Sequence, residues 1–113
     1  MASDPLPTAF FGPGFSQNTE SLTISKSDLQ PPIGLSPSYD FLPASVNTAE
    51  SIFLALYLRA SRNQDQSQDS QLQLAPFEMA LVYRFGRYQR EYTSILRVYQ
   101  DDTLSTYPNP NSI

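Results

Sequence analysis

Residues 77–99, FEMALVYRFGRYQREYTSILRVY, carry the strongest structural signal in the chain. Large apolar side chains recur at every second position from Phe77 to Phe85, with Glu78, Ala80, Val82 and Arg84 on the other face, as expected for a half-buried strand. Gly86 then interrupts the alternation, and glycine at the first loop position is typical of a type II′ hairpin turn. We therefore predict a β-hairpin whose two-residue loop is Gly86-Arg87.

That loop fixes the predicted register of the hairpin. It places Phe85 opposite Tyr88 and Leu81 opposite Tyr92, with the apolar residues of both strands on one face. A shift of one residue would move Leu81 and Tyr92 to opposite faces, so the alternation and the turn agree on the same pairing.

Residues 51–59 fit two kinds of structure. Apolar residues occupy both faces of the alternation, which favours a strand in the middle of a sandwich. The alternative is a helix, because Asn47 followed by Glu50 resembles a capping box, and a helical period would align Phe53 with Leu56. Residues 61–71 contain no apolar side chain and are predicted to form a loop.

Proline and glycine suggest the organisation of the chain. Seven of the ten prolines lie in the first 43 residues, where they disfavour long helices and central strands. We predict an N-terminal arm over residues 1–20, a single β domain over residues 21–100 and a C-terminal tail over residues 101–113. The predicted fold class is all-β or mainly-β, a small antiparallel sandwich or barrel with extended irregular N- and C-terminal arms.

Composition argues against several classes of function. The chain has no cysteine and no histidine, which excludes disulfides, thiolate zinc sites and Ser-His-Asp catalysis within it. Its net charge of −4 argues against nucleic acid or an anionic membrane as the main partner. The sequence has no apolar run long enough for a transmembrane helix, and a Sec-type signal is not expected.

The acidic residues offer three weak candidate sites. Residues 65–69 alternate oxygen-bearing side chains but lack the glycine and glutamate that an EF-hand calcium loop requires. The pair Asp101-Asp102 is more typical of a strand end. Glu78 and Glu91 share a face of the predicted hairpin, but they are too far offset to be assigned acid and base roles. We predict no catalytic residue, no metal site and no cofactor.

Two clusters are candidates for partner binding. Phe10, Phe11 and Phe15 lie in the N-terminal arm and would pack either on the chain itself or on a neighbouring subunit. Arg84 and Arg87 lie near the predicted turn, among tyrosines, in a pattern that can also stack on sugars or bases.

These features predict a non-enzymatic structural or assembly protein, which packs through its β domain and terminal arms. Its partners would be proteins, in a homo-oligomer or a larger assembly, and a virion component such as a capsid-decorating or tail protein of a phage fits this description. The alternative is a small β-sheet binding module that presents tyrosine and arginine to a carbohydrate or peptide. The expected location is the virion in the first case and the cytoplasm otherwise.

Overall fold

The structure is a computed structural model that describes residues 6–31, 39–64, 70–102 and 106–112. These residues belong to two compact units, the first within residues 4–64 and the second built mainly from residues 65–113. We call the first the helical unit and the second the ribbon unit.

The helical unit begins with short elements. Helix α1 spans Pro7–Phe11 and starts with proline at its first turn, a position where the missing N–H is not needed. Strand β1 (Ser16–Gln17) pairs antiparallel with β2 (Leu22–Thr23). A 3₁₀ helix follows at Lys26–Leu29. The segment predicted to be an irregular arm therefore contains one helical turn.

Residues 49–62 form helix α2 (Ala49–Arg62), so the favoured strand prediction for this segment was wrong. The helix is capped by Thr48, whose Oγ1 accepts a hydrogen bond from the Ser51 backbone N–H at 3.1 Å. The capping pattern in the sequence had pointed to Asn47, one residue before the observed cap. The helix also takes the first two residues of the stretch predicted to be a loop.

The core of the helical unit explains why α2 is a helix. It is centred on Leu29, Phe41 and Ala55, and four partly buried residues pack against it: Ile24, Tyr39, Ile52 and Leu56. The core residues that α2 contributes are Ile52, Ala55 and Leu56. Ala55 and Leu56 follow Ile52 by three and four residues, which places all three on one helical face. In a strand they would not share a face.

Helix α1 and the 3₁₀ helix are tied to α2 through the side chain of Arg59. Its Nη1 donates a hydrogen bond to the Asp28 carbonyl at 2.9 Å, and its Nη2 donates to the Ala9 carbonyl at 3.5 Å. Asp28 in turn accepts a hydrogen bond from the Gly14 backbone N–H at 2.8 Å on Oδ2. Residues 6–14 of the predicted arm therefore contact other residues of the helical unit.

The ribbon unit is an antiparallel β-ribbon made of two successive strand pairs. Strand β3 (Leu72–Leu74) pairs with β6 (Leu96–Val98), and β4 (Glu78–Arg84) pairs with β5 (Arg87–Thr93). Backbone hydrogen bonds from Ala75 N to Ile95 O at 2.9 Å and from Tyr99 N to Gln71 O at 2.8 Å extend the pairing. We call residues 71–99 the ribbon, and β4, β5 and their loop the hairpin.

The hairpin was predicted correctly, but its turn and register were not. The loop is Phe85-Gly86 with φ angles of 54° and 77°, and two positive values define a type I′ turn. Tyr83 therefore pairs with Tyr88, and Met79 rather than Leu81 pairs with Tyr92. Because the partner shifts by two residues, the side chains predicted to share a face still do.

A β-bulge joins the two strand pairs of the ribbon. Three residues, Ala75 to Phe77, lie opposite two, Ser94 and Ile95, and the central residue of the three is Pro76. Proline in a sheet is largely confined to edges and bulges, where its missing N–H is tolerated. The extra residue matches a change of phase in the sequence, where apolar positions shift from even numbers in β3 to odd numbers in β4.

The observed fold class is mixed. The described residues contain three two-stranded antiparallel sheets as well as helices, and these strands do not close into a barrel. Among the described residues, no helix is long and apolar enough to cross a bilayer.

Candidate interaction surface

The hairpin presents one face of large apolar and aromatic side chains to solvent. Three cross-strand pairs form this surface, which we call the aromatic face: Met79 with Tyr92, Leu81 with Arg90, and Tyr83 with Tyr88. All six side chains are exposed, although the sequence pattern predicted a half-buried face. The alternation therefore identified the right residues but not what covers them.

The tip of the hairpin adds a further exposed ring. Phe85 is 84% exposed and has a φ of 54°, a conformation that is rare for a bulky residue and costs free energy. Arg84 places its guanidinium carbon 5.0 Å from the centroid of the Phe85 ring, within cation–π range. A strained, exposed aromatic residue at a turn is the kind of outlier that suggests a functional position.

The rings of the aromatic face have a defined geometry. Tyr83 and Tyr88 lie 5.2 Å apart between centroids with an interplanar angle of 69°, an edge-to-face contact. Tyr83 is 65% exposed, Tyr88 72% and Tyr92 60%. Tyrosine is well suited to such a surface, because it combines apolar area with a hydroxyl and few rotatable bonds.

Charge is distributed unevenly along the hairpin. On the face opposite the aromatic one, Arg84 and Arg87 lie directly across from each other at the tip. Glu78 and Glu91 lie toward the other end, opposite Thr93 and Ala80 respectively. Like charges facing each other across strands destabilise a hairpin, so an acidic group near the tip would be favourable.

The three phenylalanines predicted to bind a partner are brought together. Phe10 and Phe11 lie in α1 with centroids 5.4 Å apart, and Phe11 lies 5.3 Å from Phe15. All three side chains are half-buried. The structure thus places this cluster within the helical unit, and Arg84 and Arg87 on the hairpin of the ribbon unit.

Comparison with protein-family models, curated proteins and solved structures found no match to this chain.

The acidic candidates contribute little to a site. Residues 65–69 lie outside the described part of the chain, and Asp101 and Asp102 are exposed. Glu78 and Glu91 lie on one face of the hairpin, two rungs apart. Within the described ranges, no three carboxylates are grouped so that they could hold a metal ion.

One cluster was not identified from the sequence. The Tyr39 hydroxyl donates a hydrogen bond to the Leu29 carbonyl at 3.3 Å, and the Arg62 guanidinium carbon lies 5.1 Å from the Tyr39 ring centroid. Burial raises the pKa of Tyr39, while the positive charges of Arg62 and Arg59 act in the opposite direction. Arg59 and Arg62 are three residues apart, so they lie on the same face of a helix. The sequence could not show this, because the segment was predicted to be a strand.

Proposed function

We propose that this chain is a non-enzymatic assembly protein whose aromatic face is covered by protein in the assembled state. The observation that carries the proposal is the exposed set of aromatic side chains on the hairpin. An isolated two-stranded hairpin is at best marginally stable in water, and contiguous apolar patches on soluble proteins usually mark interaction sites.

The aromatic face and Phe85 at the tip together expose an area that approaches one side of a protein interface. Covered aromatic side chains bury about 150–250 Å² each. Applied to the exposures of Tyr83, Phe85, Tyr88 and Tyr92, this gives roughly 400–700 Å² for the four rings. A stable interface takes about 800 Å² from each partner. The rings alone therefore account for much of one side of an interface, with Met79 and Leu81 adding to it.

The composition of this surface also favours a protein partner. Tyrosine, phenylalanine, methionine and arginine are enriched at interface cores, and the aromatic face with its tip contains all four. A second sheet packed on this face would complete the β-sandwich predicted from the sequence. A place in a virion remains a prediction from small size, missing catalytic groups and terminal arms.

The proposal is tested by measuring the mass of the full chain by light scattering over a range of concentrations. We expect a mass above the 12.7 kDa of one chain at high concentration. The combined substitution Tyr88→Ser and Tyr92→Ser should weaken this association, because it removes two rings from the aromatic face. Both residues lie on β5, so β4 keeps its sequence.

A matched control separates the aromatic face from general surface hydrophobicity. Leu42 and Val46 are 74% and 86% exposed in the helical unit, and Leu42→Ser with Val46→Ser should leave association unchanged. A chain that stays at 12.7 kDa at every concentration would contradict the proposal. If both pairs of substitutions weakened association equally, the aromatic face would not be the specific interface.

The second candidate is a carbohydrate- or peptide-binding module. It is supported by Arg90 lying in the same face as Tyr83, Tyr88 and Tyr92, since exposed rings beside a cation can stack on sugars. Titration of the chain with oligosaccharides, followed by NMR of the tyrosine ring signals, distinguishes the candidates. Shifts confined to these tyrosines in a monomeric chain would favour the binding module.

A further inference from the structure

The outer edge of β4 has no strand partner in the described part of the chain. Among the described strands, β4 pairs with β5 alone, and six of its seven residues are exposed, Val82 being half-buried. Open strand edges present unpaired N–H and C=O groups and are templates for pairing with another chain. Native proteins usually protect such edges with a bulge, a proline or an inward charge. Here the bulge and Pro76 lie before β4, and the strand itself, Glu78–Arg84, contains no proline.

The backbone groups that point outward from β4 can be identified from the register. The closing pair of a two-residue hairpin, here Arg84 with Arg87, exchanges hydrogen bonds, and alternate pairs do not. The N–H and C=O groups of Met79, Leu81 and Tyr83 therefore point away from β5. A strand added to this edge must bond to these three residues.

We propose that a second copy of this chain pairs antiparallel with β4 along this edge, about a two-fold axis at Leu81. The inference rests on the proposed function and specifies one interface of the assembly. In this register the seven residues of β4 overlap completely, and Leu81 lies opposite its own copy. Met79 lies opposite Tyr83 of the second copy, so the outward groups meet as about six hydrogen bonds in three pairs.

The side chains across this edge are complementary. Arg84 lies opposite Glu78 of the second copy, and Glu78 opposite its Arg84, so the two-fold axis makes two pairs of opposite charge. Within the hairpin, Arg84 faces Arg87 and Glu78 faces Thr93, so neither has an opposite charge across the strand pair. On the aromatic face, Met79 meets the ring of Tyr83, a favourable sulfur–aromatic contact. Opposite charges and apolar pairs across strands both stabilise a sheet.

Antiparallel pairing of two copies through the outer edge of β5 is unfavourable. The outward residues of β5 are Tyr88, Arg90 and Tyr92, and the equivalent axis would place Arg90 opposite its own copy. Two like charges directly opposite each other destabilise strand pairing. The sequence therefore discriminates between the two edges in favour of β4, giving a four-stranded sheet with β5 on both outer edges.

Charge-reversal variants test the pairing. In the proposed dimer, position 78 of each copy faces position 84 of the other. Glu78→Arg therefore creates two arginine–arginine pairs, and Arg84→Glu creates two glutamate–glutamate pairs. Each should weaken dimerisation tenfold or more by sedimentation equilibrium, because two pairs change sign at once. The double variant exchanges the charges and should restore wild-type dimerisation. Mixing the two single variants should give a heterodimer, in which both pairs again have opposite charges.

Glu91→Arg is the matched control, because it makes the same charge change on the same face but on the outer strand β5. It should leave the dimerisation constant within about twofold. Association that is insensitive to the charges at positions 78 and 84, or that is not restored by the double variant and the mixture, would overturn this interface and leave the proposed function standing. A wild-type chain that remains at 12.7 kDa would contradict both.

Discussion

Replacing Gly12 with alanine should destabilise the helical unit strongly, because its backbone and its surroundings both require glycine. Gly12 has φ 108° and ψ 159°, a region that is essentially restricted to glycine. An added Cβ would overlap the Cβ of Asp28 and lie 2.6 Å from its Cγ and Oδ2. Either α1 moves away from the 3₁₀ helix, or Asp28 moves and loses its hydrogen bond from Gly14.

The magnitude follows from these two effects. A residue forced into a sparsely populated backbone region costs about 1–3 kcal/mol, and overpacking costs about 1–3 kcal/mol more. We therefore expect Gly12→Ala to lower the free energy of unfolding by at least about 2 kcal/mol. Gly86→Ala is the matched control: Gly86 also has a positive φ, but an added Cβ meets nothing within 4 Å. Gly86→Ala should therefore lower the free energy of unfolding only through backbone strain, by about 1 kcal/mol.

Urea unfolding followed by residue-resolved NMR measures each cost in the unit that carries the substitution, at α2 for Gly12→Ala and at the hairpin for Gly86→Ala. Combining Gly12→Ala with Asp28→Gly should recover part of the loss, since the second change removes the atoms that the new Cβ meets. Equal costs for Gly12→Ala and Gly86→Ala would refute the packing of the N-terminal arm against Asp28.

Three further predictions concern single positions. Thr48→Ala should lower the free energy of unfolding by about 1 kcal/mol, because Ser51 loses its cap; urea unfolding checks this. Phe85→Asn should raise the melting temperature of the hairpin, since asparagine tolerates the positive φ, and an unchanged or lower value would contradict the type I′ turn. Burial raises the pKa of Tyr39 above its ordinary value of 10.0, so the stability from its neutral form is complete below that pH and is lost as pH rises through the higher folded-state pKa. Tyr39→Phe should therefore flatten the alkaline loss of stability in unfolding measurements, and an unchanged slope would contradict this.

The hairpin shows how far sequence reasoning can reach. Alternation identified both strands and the residues that share a face, because the side-chain period is a backbone property. The turn was misplaced by one residue, since preference rules do not put a bulky residue such as Phe85 at positive φ. The phase change at Pro76 was present in the sequence, but only the pairing of Leu74 with Leu96 reveals it as a bulge.

The helix α2 shows where local reasoning fails. Its residues satisfy a two-residue and a 3.6-residue period equally, so the choice depends on partners such as Leu29 and Phe41, which lie far away in the sequence. The candidate interface is a similar case. The sequence singled out Arg84 as a partner-binding candidate. The pairing with Glu78 of a second copy that we propose depends on which backbone groups of β4 point outward, and these follow only from the observed hairpin register.

Amide hydrogen exchange along the hairpin tests most directly whether the ribbon is an assembly surface. At a concentration where the chain is associated, the amides of Met79, Leu81 and Tyr83 should exchange slowly, and dilution should accelerate them. The outward amides of β5, at Tyr88, Arg90 and Tyr92, should exchange rapidly under both conditions. Slow exchange on β4 that depends on concentration is the predicted result. Equally fast exchange on both strands at every concentration would contradict pairing through β4.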